Sequence, residues 1–122
     1  DVPNIKFLPP QYEKRIVDSL RHFCRLYIHG HSSGGTNPSL LESMACGAVI
    51  AAHDNPFNRA VTGQDAYYYS TSGELTKVFK GFDQMDVAGW KDANLIKIKS
   101  QYNWDLVAEQ YEELMYEAIG NK

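Results

Sequence analysis

Short apolar runs alternate along this chain with segments in which apolar residues recur at helical spacing. Four apolar runs predict short β-strands, at 5–8, 26–28, 48–52 and 66–69. Helical spacing predicts helices at 11–23, 37–47, 73–82, 87–101 and 103–119. Strands that alternate with helices in this order favour right-handed crossovers, so the predicted fold class is α/β, with a parallel sheet flanked by helices.

The helix predicted at 37–47 is delimited by residues that commonly begin and end helices. Asn37 suits the N-cap, Pro38 suits the first helical position, and Gly47 suits the residue just past the end. The apolar run at 48–52 follows directly, and it is continuous, as expected for a strand that is covered on both faces of a parallel sheet.

Ligands of parallel sheets bind where loops leave the carboxyl ends of the strands. Three segments qualify here: 29–37, 53–59 and the stretch after Tyr69. The first contains Gly34 and Gly35 and leads into a helix N-terminus, where unpaired amides and the helix dipole favour an anion. The amides of Gly35, Thr36 and Asn37 could therefore cradle a diphosphate. A plain strand-to-helix turn explains the same residues equally well.

Glu42 lies one turn inside the same predicted helix, on a flank away from its apolar stripe. From there a carboxylate reaches beside whatever the helix N-terminus binds, and it can accept hydrogen bonds from the hydroxyls of a sugar. A sugar-binding role for Glu42 therefore stands beside the plainer interpretation of a solvated glutamate on a helix surface.

The composition is that of one globular domain of mild acidity. The chain has 122 residues, 43% of them apolar, and a formal net charge of −3. This balance argues against nucleic acid as a partner, and no apolar run is long enough for a transmembrane segment. The chain begins at Asp1, close to a strand candidate, so we expect residues 1–122 to be a single, partial domain of a longer polypeptide.

The run at 37–50, NPSLLESMACGAVI, resembles the signature of family-4 glycosyltransferases of the GT-B fold. That signature is a glycine-rich loop, a helix that reads roughly LEAMAxG, and a strand that reads PVIA. The stretch at 102–111 is similar to the closing helix of the family. The resemblance spans essentially the whole chain. It implies a Rossmann-like sheet from the later part of the C-terminal, nucleotide-sugar-binding domain.

The resemblance implies an enzyme that transfers a sugar from a nucleoside-diphosphate sugar with retention of anomeric configuration. It implies no cofactor and no metal, because protein cations and helix amides neutralise the leaving diphosphate. Glu42 matches the family's ribose-binding glutamate. The amides of Gly35, Thr36 and Asn37 match those that contact the diphosphate and the donor sugar. No residue is assigned a catalytic role.

One departure from the family concerns the donor sugar. The family has two glutamates separated by seven residues, so the first would fall at position 34, where this chain has Gly34. His29, His31 and Thr36 are the candidates for the missing sugar contact. The run HGHSSGGTNPS resembles a subgroup of bacterial rhamnosyltransferases with a deoxythymidine diphosphate donor, which implies a role in cell-surface polysaccharide synthesis.

The resemblance also implies parts that this sequence does not contain. The family's diphosphate-binding arginine and lysine precede the strand predicted at 5–8, and its N-terminal domain binds the acceptor, here a sugar or a lipid-linked glycan. We therefore expect the chain alone to lack transferase activity and to bind donor weakly.

The parent enzyme is expected in the cytoplasm, with peripheral membrane association as an option. Cys24 and Cys46, expected as buried free thiols, suit a reducing compartment.

Several other residues have plainer explanations beside a functional one. His29 and His31 have the spacing of a metal-ligand pair, but no third ligand is near in sequence, so a polar cleft wall is favoured. His53 and Asp54 either contact a ligand at the end of a strand or cap the next turn. For Arg59, a surface ion pair is favoured over a phosphate contact.

Two rival functions stay open. A sugar-nucleotide epimerase or another Rossmann-like enzyme would bind a dinucleotide at the same helix terminus, although no GxGxxG motif follows the first strand candidate. A noncatalytic module would bind a sugar nucleotide or a protein without transferring anything. Titration with nucleoside-diphosphate sugars and with NAD separates these functions.

Overall fold

The computed structural model describes residues 3–84 and 86–120. Any prediction for residues 1, 2, 85, 121 or 122 therefore lies outside the described residues. The helices are α1 (Lys14–Phe23), α2 (Pro38–Ala45), α3 (Pro56–Thr62), α4 (Ser72–Gly81), α5 (Ala88–Gln101) and α6 (Trp104–Gly120). The strands are β1 (Tyr27–His29), β2 (Ile50–His53) and β3 (Tyr67–Tyr69). A short 3-10 helix, Phe82–Gln84, follows α4.

Within the described part of the chain, the three strands form one parallel sheet in the order β1-β2-β3. Tyr27 is aligned with Ile50, and His53 is aligned with Tyr69. α2 connects β1 to β2 and α3 connects β2 to β3, as parallel pairing requires a crossover. The α/β class and the parallel sheet flanked by helices are confirmed, and the arrangement is compatible with a Rossmann-like fold.

Local chemistry fixes both ends of α2 where the sequence predicts them. The Asn37 side chain accepts a hydrogen bond from the Ser39 amide at 2.9 Å, and Pro38 opens the helix. Just past the C-terminus, Gly47 has a φ of 70°, a left-handed conformation that other residues adopt only with strain. The chain thereby turns back toward β2, so the helix and the strand after it are placed together.

The core packs α2 and α3 against β2. Its buried members are Leu40, Met44, Ile50, Ala52, Val61 and Ala66. Ile98 of α5 and the nearby Tyr102 pack against this cluster. The run at 48–52 is buried as predicted, although the strand itself begins two residues later and extends to His53. Burial on both faces explains why this run shows no polar alternation.

The strand predicted at 5–8 is wrong. These residues have no regular secondary structure, and Ile5, Phe7 and Leu8 are each more than half exposed. A strand needs a neighbour that satisfies its backbone hydrogen bonds, and among the described residues no strand pairs with this segment. Apolar character indicates that a segment suits a strand, but it does not supply the partner.

The sequence predicts a loop at 53–59, but α3 occupies most of that segment. The Asn55 side chain caps α3 by accepting a hydrogen bond from the Asn58 amide at 2.9 Å. The pair Asn55-Pro56 repeats the Asn-Pro pair that opens α2. This cap is the signal that could have found α3, because a helix of about two turns is too short to show periodicity.

The helix predicted at 103–119 is present as α6, but the apolar residues that recur along it at helical spacing are exposed. Trp104, Tyr111 and Leu114 are each more than 60% exposed, and Phe23 of α1 is similarly exposed. The chain exposes 9033 Å² in total, against about 6,600 Å² for a compact monomer of this mass. No helix among the described residues has the length and hydropathy to cross a bilayer.

Truncation of Leu40 tests the assignment of the core. Leu40 is fully buried, so Leu40→Ala should lower the free energy of unfolding by about 2–5 kcal/mol, because the change removes apolar contacts and leaves a cavity. Leu114→Ala, in the exposed stripe of α6, is the matched control and should change it by less than about 0.5 kcal/mol. Urea denaturation followed by circular dichroism measures both, and equal losses would contradict the assignment.

Candidate functional site

The three strands end at one edge of the sheet, and a helix begins soon after each strand. β1 ends at His29, β2 at His53 and β3 at Tyr69, and these ends lead into α2, α3 and α4. The structure therefore brings the three segments that the sequence singles out to a single carboxyl edge, which is where parallel sheets bind ligands.

Two asparagine side chains anchor the loop that follows β1. The Nδ2 atoms of Asn55 and Asn58 each donate a hydrogen bond to the His31 carbonyl at 3.0 Å. Asn58 also donates to the His53 carbonyl at 2.9 Å, and it is only 3% exposed. The buried side-chain amide of Asn58 thus links the segment after β1 to the end of β2 and fixes the start of the loop. Sequence reasoning did not find this residue.

Amides suited to an anion lie just before α2. Among the described residues, no hydrogen bond uses the amides of residues 34–37 as donors, and Gly34 has a φ of 95°, which favours glycine. At the start of α4, by contrast, the Glu74 carboxylate already accepts hydrogen bonds from the amides of Ser70 and Thr71. The amides before α2 are therefore available to an external anion, whereas those before α4 are occupied by the chain's own carboxylate.

His29 is almost completely buried at the end of β1, whereas His31 is exposed. The His29 ring stacks with the rings of Tyr27 and His31, at centroid distances of 6.2 and 5.9 Å. Its Nε2 has no hydrogen-bond partner among the described residues. Burial, and then the charge of His31, lower the pKa of His29 below its ordinary value of 6.5. The neutral ring suits a hydroxyl better than it suits a phosphate.

The Tyr69 side chain connects the two outer strands of the sheet. Its hydroxyl donates a hydrogen bond to the His29 carbonyl at 3.3 Å and so spans β2. The His53 ring meets the Tyr69 ring edge-on, with centroids 5.9 Å apart. His53 Nδ1 is buried and has no partner in the part of the chain that the structure describes. A second imidazole nitrogen with unused hydrogen-bonding capacity therefore lies at this edge.

Arg59 forms an ion pair with Asp54, which is the plainer of the two interpretations that the sequence allows. Arg59 Nη2 lies 2.8 Å from Asp54 Oδ2, and Arg59 Nε bonds the other carboxylate oxygen. The guanidinium also lies over the Tyr68 ring, 4.0 Å from its centroid. The Arg59 hydrogen bond lowers the pKa of the Asp54 carboxyl. Arg59 is thus committed to contacts within the chain.

Glu42 pairs with α1. Arg21 Nη2 lies 2.7 Å from Glu42 Oε2, so the carboxylate is not simply solvated. Glu42 is still half exposed, on the helix that follows the free loop amides. Sequence reasoning missed Arg21, and the available signal was only its position on a polar flank of α1, because no local pattern identifies a partner on another helix.

The histidine pair and the two cysteines are the remaining candidates for metal or thiol chemistry. Among the described residues, no group of three or more His, Cys, Asp or Glu side chains is placed to hold a metal ion, and the rings of His29 and His31 are stacked. Cys24 and Cys46 are free and half-buried at the C-termini of α1 and α2. Burial raises the pKa of both thiols, which does not activate them as nucleophiles.

No protein-family model, curated protein or solved structure matches this chain. Its function is therefore inferred from the carboxyl edge of the sheet and from the run at 37–50.

His29 should make the stability of the protein depend on pH. Its pKa is lower in the folded chain, so the unfolded chain binds more protons as the pH falls below 6.5. This contribution to the free energy of unfolding is fully present above that pH and is lost as the pH falls toward the folded pKa. His29→Gln cannot titrate, so it should flatten the decrease between about pH 7 and about pH 5, as measured by urea denaturation.

Asp54→Asn is the control for this pH dependence. The pKa of Asp54 is lowered from 3.8, so its contribution is present above that pH and is lost only in stronger acid. The control should leave the range in which His29 titrates unchanged. An undiminished slope in His29→Gln would show that another group causes the pH dependence.

Asn58→Ala tests how the loop after β1 is held. The change leaves the carbonyls of His31 and His53 without this donor, so the free energy of unfolding should fall by about 1–3 kcal/mol. Backbone NMR order parameters should also fall at residues 32–36, because an anchor of the loop is lost. Asn103→Ala, which removes a comparable pair of hydrogen bonds at the start of α6, is the control and should leave those order parameters unchanged. A loop equally ordered in both variants would contradict the anchoring role.

Proposed function

We propose that this chain binds the nucleoside-diphosphate sugar of a retaining glycosyltransferase of the GT-B class, as part of the donor-binding half of a longer enzyme. The observation that carries the proposal is the stretch at 34–37, which leads into α2 at the carboxyl edge and is exposed at 34–36. Among the described residues, no hydrogen bond uses its amides as donors. The family-4 resemblance of the run at 37–50 supplies the reaction class.

In this proposal the diphosphate lies against the loop amides. The amides and the helix dipole supply partial positive charge, and this charge stabilises the leaving diphosphate as the bond to the sugar breaks. A Cβ atom built on Gly34 or Gly35 would meet nothing within 4 Å, so there is open space beside this backbone for a ligand. The positive φ of Gly34 shapes the loop ahead of the helix.

The sugars of the donor are assigned to the side chains beside the loop. Glu42 Oε2 is engaged by Arg21, and the carboxylate retains capacity to accept a hydrogen bond from a ribose hydroxyl. The donor sugar lies toward His31 and Thr36, which are exposed, with the neutral His29 ring behind them. These contacts take the place of the glutamate that the family carries where this chain has Gly34.

The wider role follows from the resemblance. The acceptor, a sugar or a lipid-linked glycan, binds to an N-terminal domain, and the cations that assist the diphosphate come from sequence ahead of this chain. The donor is a deoxythymidine diphosphate sugar, with rhamnosyl transfer as the reaction in bacterial cell-surface polysaccharide synthesis. The enzyme acts in the cytoplasm, with peripheral membrane association as an option, and needs no metal.

NMR titration tests the nucleotide site directly. Isotope-labelled protein is titrated with uridine, deoxythymidine and guanosine diphosphates and their sugars to about 10 mM, because we expect Kd values near or above about 1 mM. At least one diphosphate should shift the amide resonances of residues 34–37. In Gly34→Ala, that diphosphate should bind at least about tenfold more weakly, since the loop leaves its left-handed conformation.

Gly47→Ala is the matched control, because Gly47 also has a positive φ and open space around it but lies at the other end of α2. Both variants should lose about 1–2 kcal/mol of stability, and only Gly34→Ala should lose affinity. If no nucleoside diphosphate or diphosphate sugar shifts the loop amides, the proposal fails. A response to NAD alone would favour the dinucleotide-binding enzyme instead. Sugar transfer by the 122-residue chain alone would contradict the need for an acceptor domain.

A further inference from the structure

The ion pair between Arg21 and Glu42 joins α1 to α2, the helix that follows the loop of the proposed nucleotide site. Arg21 Nη2 and Glu42 Oε2 are 2.7 Å apart. The Arg21 side chain is 13% exposed, whereas the Glu42 side chain is 49% exposed. The guanidinium is therefore set into the surface between α1 and α2, and the carboxylate that it holds faces outward.

A second carboxylate, that of Asp18, lies near Arg21 on the same helix. Asp18 Oδ1 lies 3.6 Å from Arg21 Nη1, and Asp18 Oδ2 in turn bonds Lys14 Nζ. Arg21 thus forms a short ion pair with Glu42 on α2 and a longer one with Asp18 on α1, and burial of its side chain restricts its movement. The planar, rigid fork of donors in arginine suits this bridging role better than the point charge of lysine.

The ion pair between Arg25 and Asp83 differs from the Arg21 pair because both of its side chains are exposed. Arg25 and Asp83 pair at 2.5 Å with side chains that are 75% and 57% exposed. Such a pair between two solvated groups contributes little to stability. In the Arg21 pair only the carboxylate is solvated, and among the described residues no hydrogen bond uses its second oxygen, Oε1. A fixed carboxylate with one unused oxygen is suited to accept a hydroxyl.

We propose that Arg21 is a positioning residue for the nucleotide, because it fixes the Glu42 carboxylate so that Oε1 accepts a ribose hydroxyl. This inference rests on the proposed function, since it requires a nucleotide whose diphosphate lies at the loop amides. Arg21 does not itself touch the nucleotide.

The test compares two probes that share a diphosphate but differ in ribose. Kd values are measured by NMR titration for inorganic pyrophosphate and for the nucleoside diphosphate that binds the wild-type chain. Arg21→Gln and Glu42→Gln should each raise the Kd of the nucleoside diphosphate about tenfold. Each should leave the Kd of pyrophosphate within about twofold of the wild-type value. The double variant should bind no more weakly than either single variant, because both changes disable one contact.

Conservative and control variants separate positioning from folding. Arg21→Lys keeps the charge but not the fork, so it should give an intermediate loss of nucleoside diphosphate affinity and a native melting temperature. Arg25→Gln removes the exposed ion pair with Asp83 and should change neither the Kd of the nucleoside diphosphate nor that of pyrophosphate. If Arg21→Gln is unfolded at the temperature of the titration, the Kd values of Arg21→Lys and Glu42→Gln are compared instead.

The outcomes distinguish this inference from the function on which it rests. If wild-type chain binds no nucleoside diphosphate, both are overturned. If it binds one, and Glu42→Gln weakens that binding while the Arg21 variants do not, only the positioning role is overturned. The positioning role would also be overturned if the Arg21 variants lost affinity for the nucleoside diphosphate and for pyrophosphate by the same factor. The loss would then not depend on the contact with ribose.

Discussion

Because β1, β2 and β3 are parallel, every segment that follows a strand leaves the sheet at the same edge. The contacts of the candidate site depend on this constraint. Asn58, after β2, can hold the His31 carbonyl, after β1, only because both segments emerge side by side. An antiparallel pairing would place them at opposite edges. Within the described residues, the loop amides that no hydrogen bond uses, the histidine nitrogens without a partner and the start of α2 lie at this edge for the same reason.

The electrostatics of this edge come from the backbone more than from side chains. Arg59 is committed to Asp54, and Arg21 is committed to Glu42. In the described part of the chain, partial positive charge is supplied by the amides that precede α2. Amides do not titrate, so their own contribution to the binding of an anion depends on the shape of the loop and not on pH. Burial lowers the pKa of His29 and so disfavours its charged form, and its Nε2 has no hydrogen-bond partner among the described residues.

What the sequence predicts well is chemistry that acts over a few residues. The caps of α2 could be named because a cap needs only its immediate neighbours, and the same logic could have found α3. The strand at 5–8 could not be judged, because pairing depends on a distant partner. At the site, pattern was enough to single out the loop and Glu42. Asn58 and Arg21 were missed because each acts on a residue more than twenty positions away.

The hydrogen bond from Tyr69 to His29 has a consequence for the order of folding. The strands pair in sequence order, so each pairing closes a loop of roughly twenty residues, which costs little entropy and favours stepwise growth of the sheet. The Tyr69 bond spans 40 residues and joins strands that are not neighbours. Because β2 lies between those strands, we expect this hydrogen bond to form only once all three strands have paired.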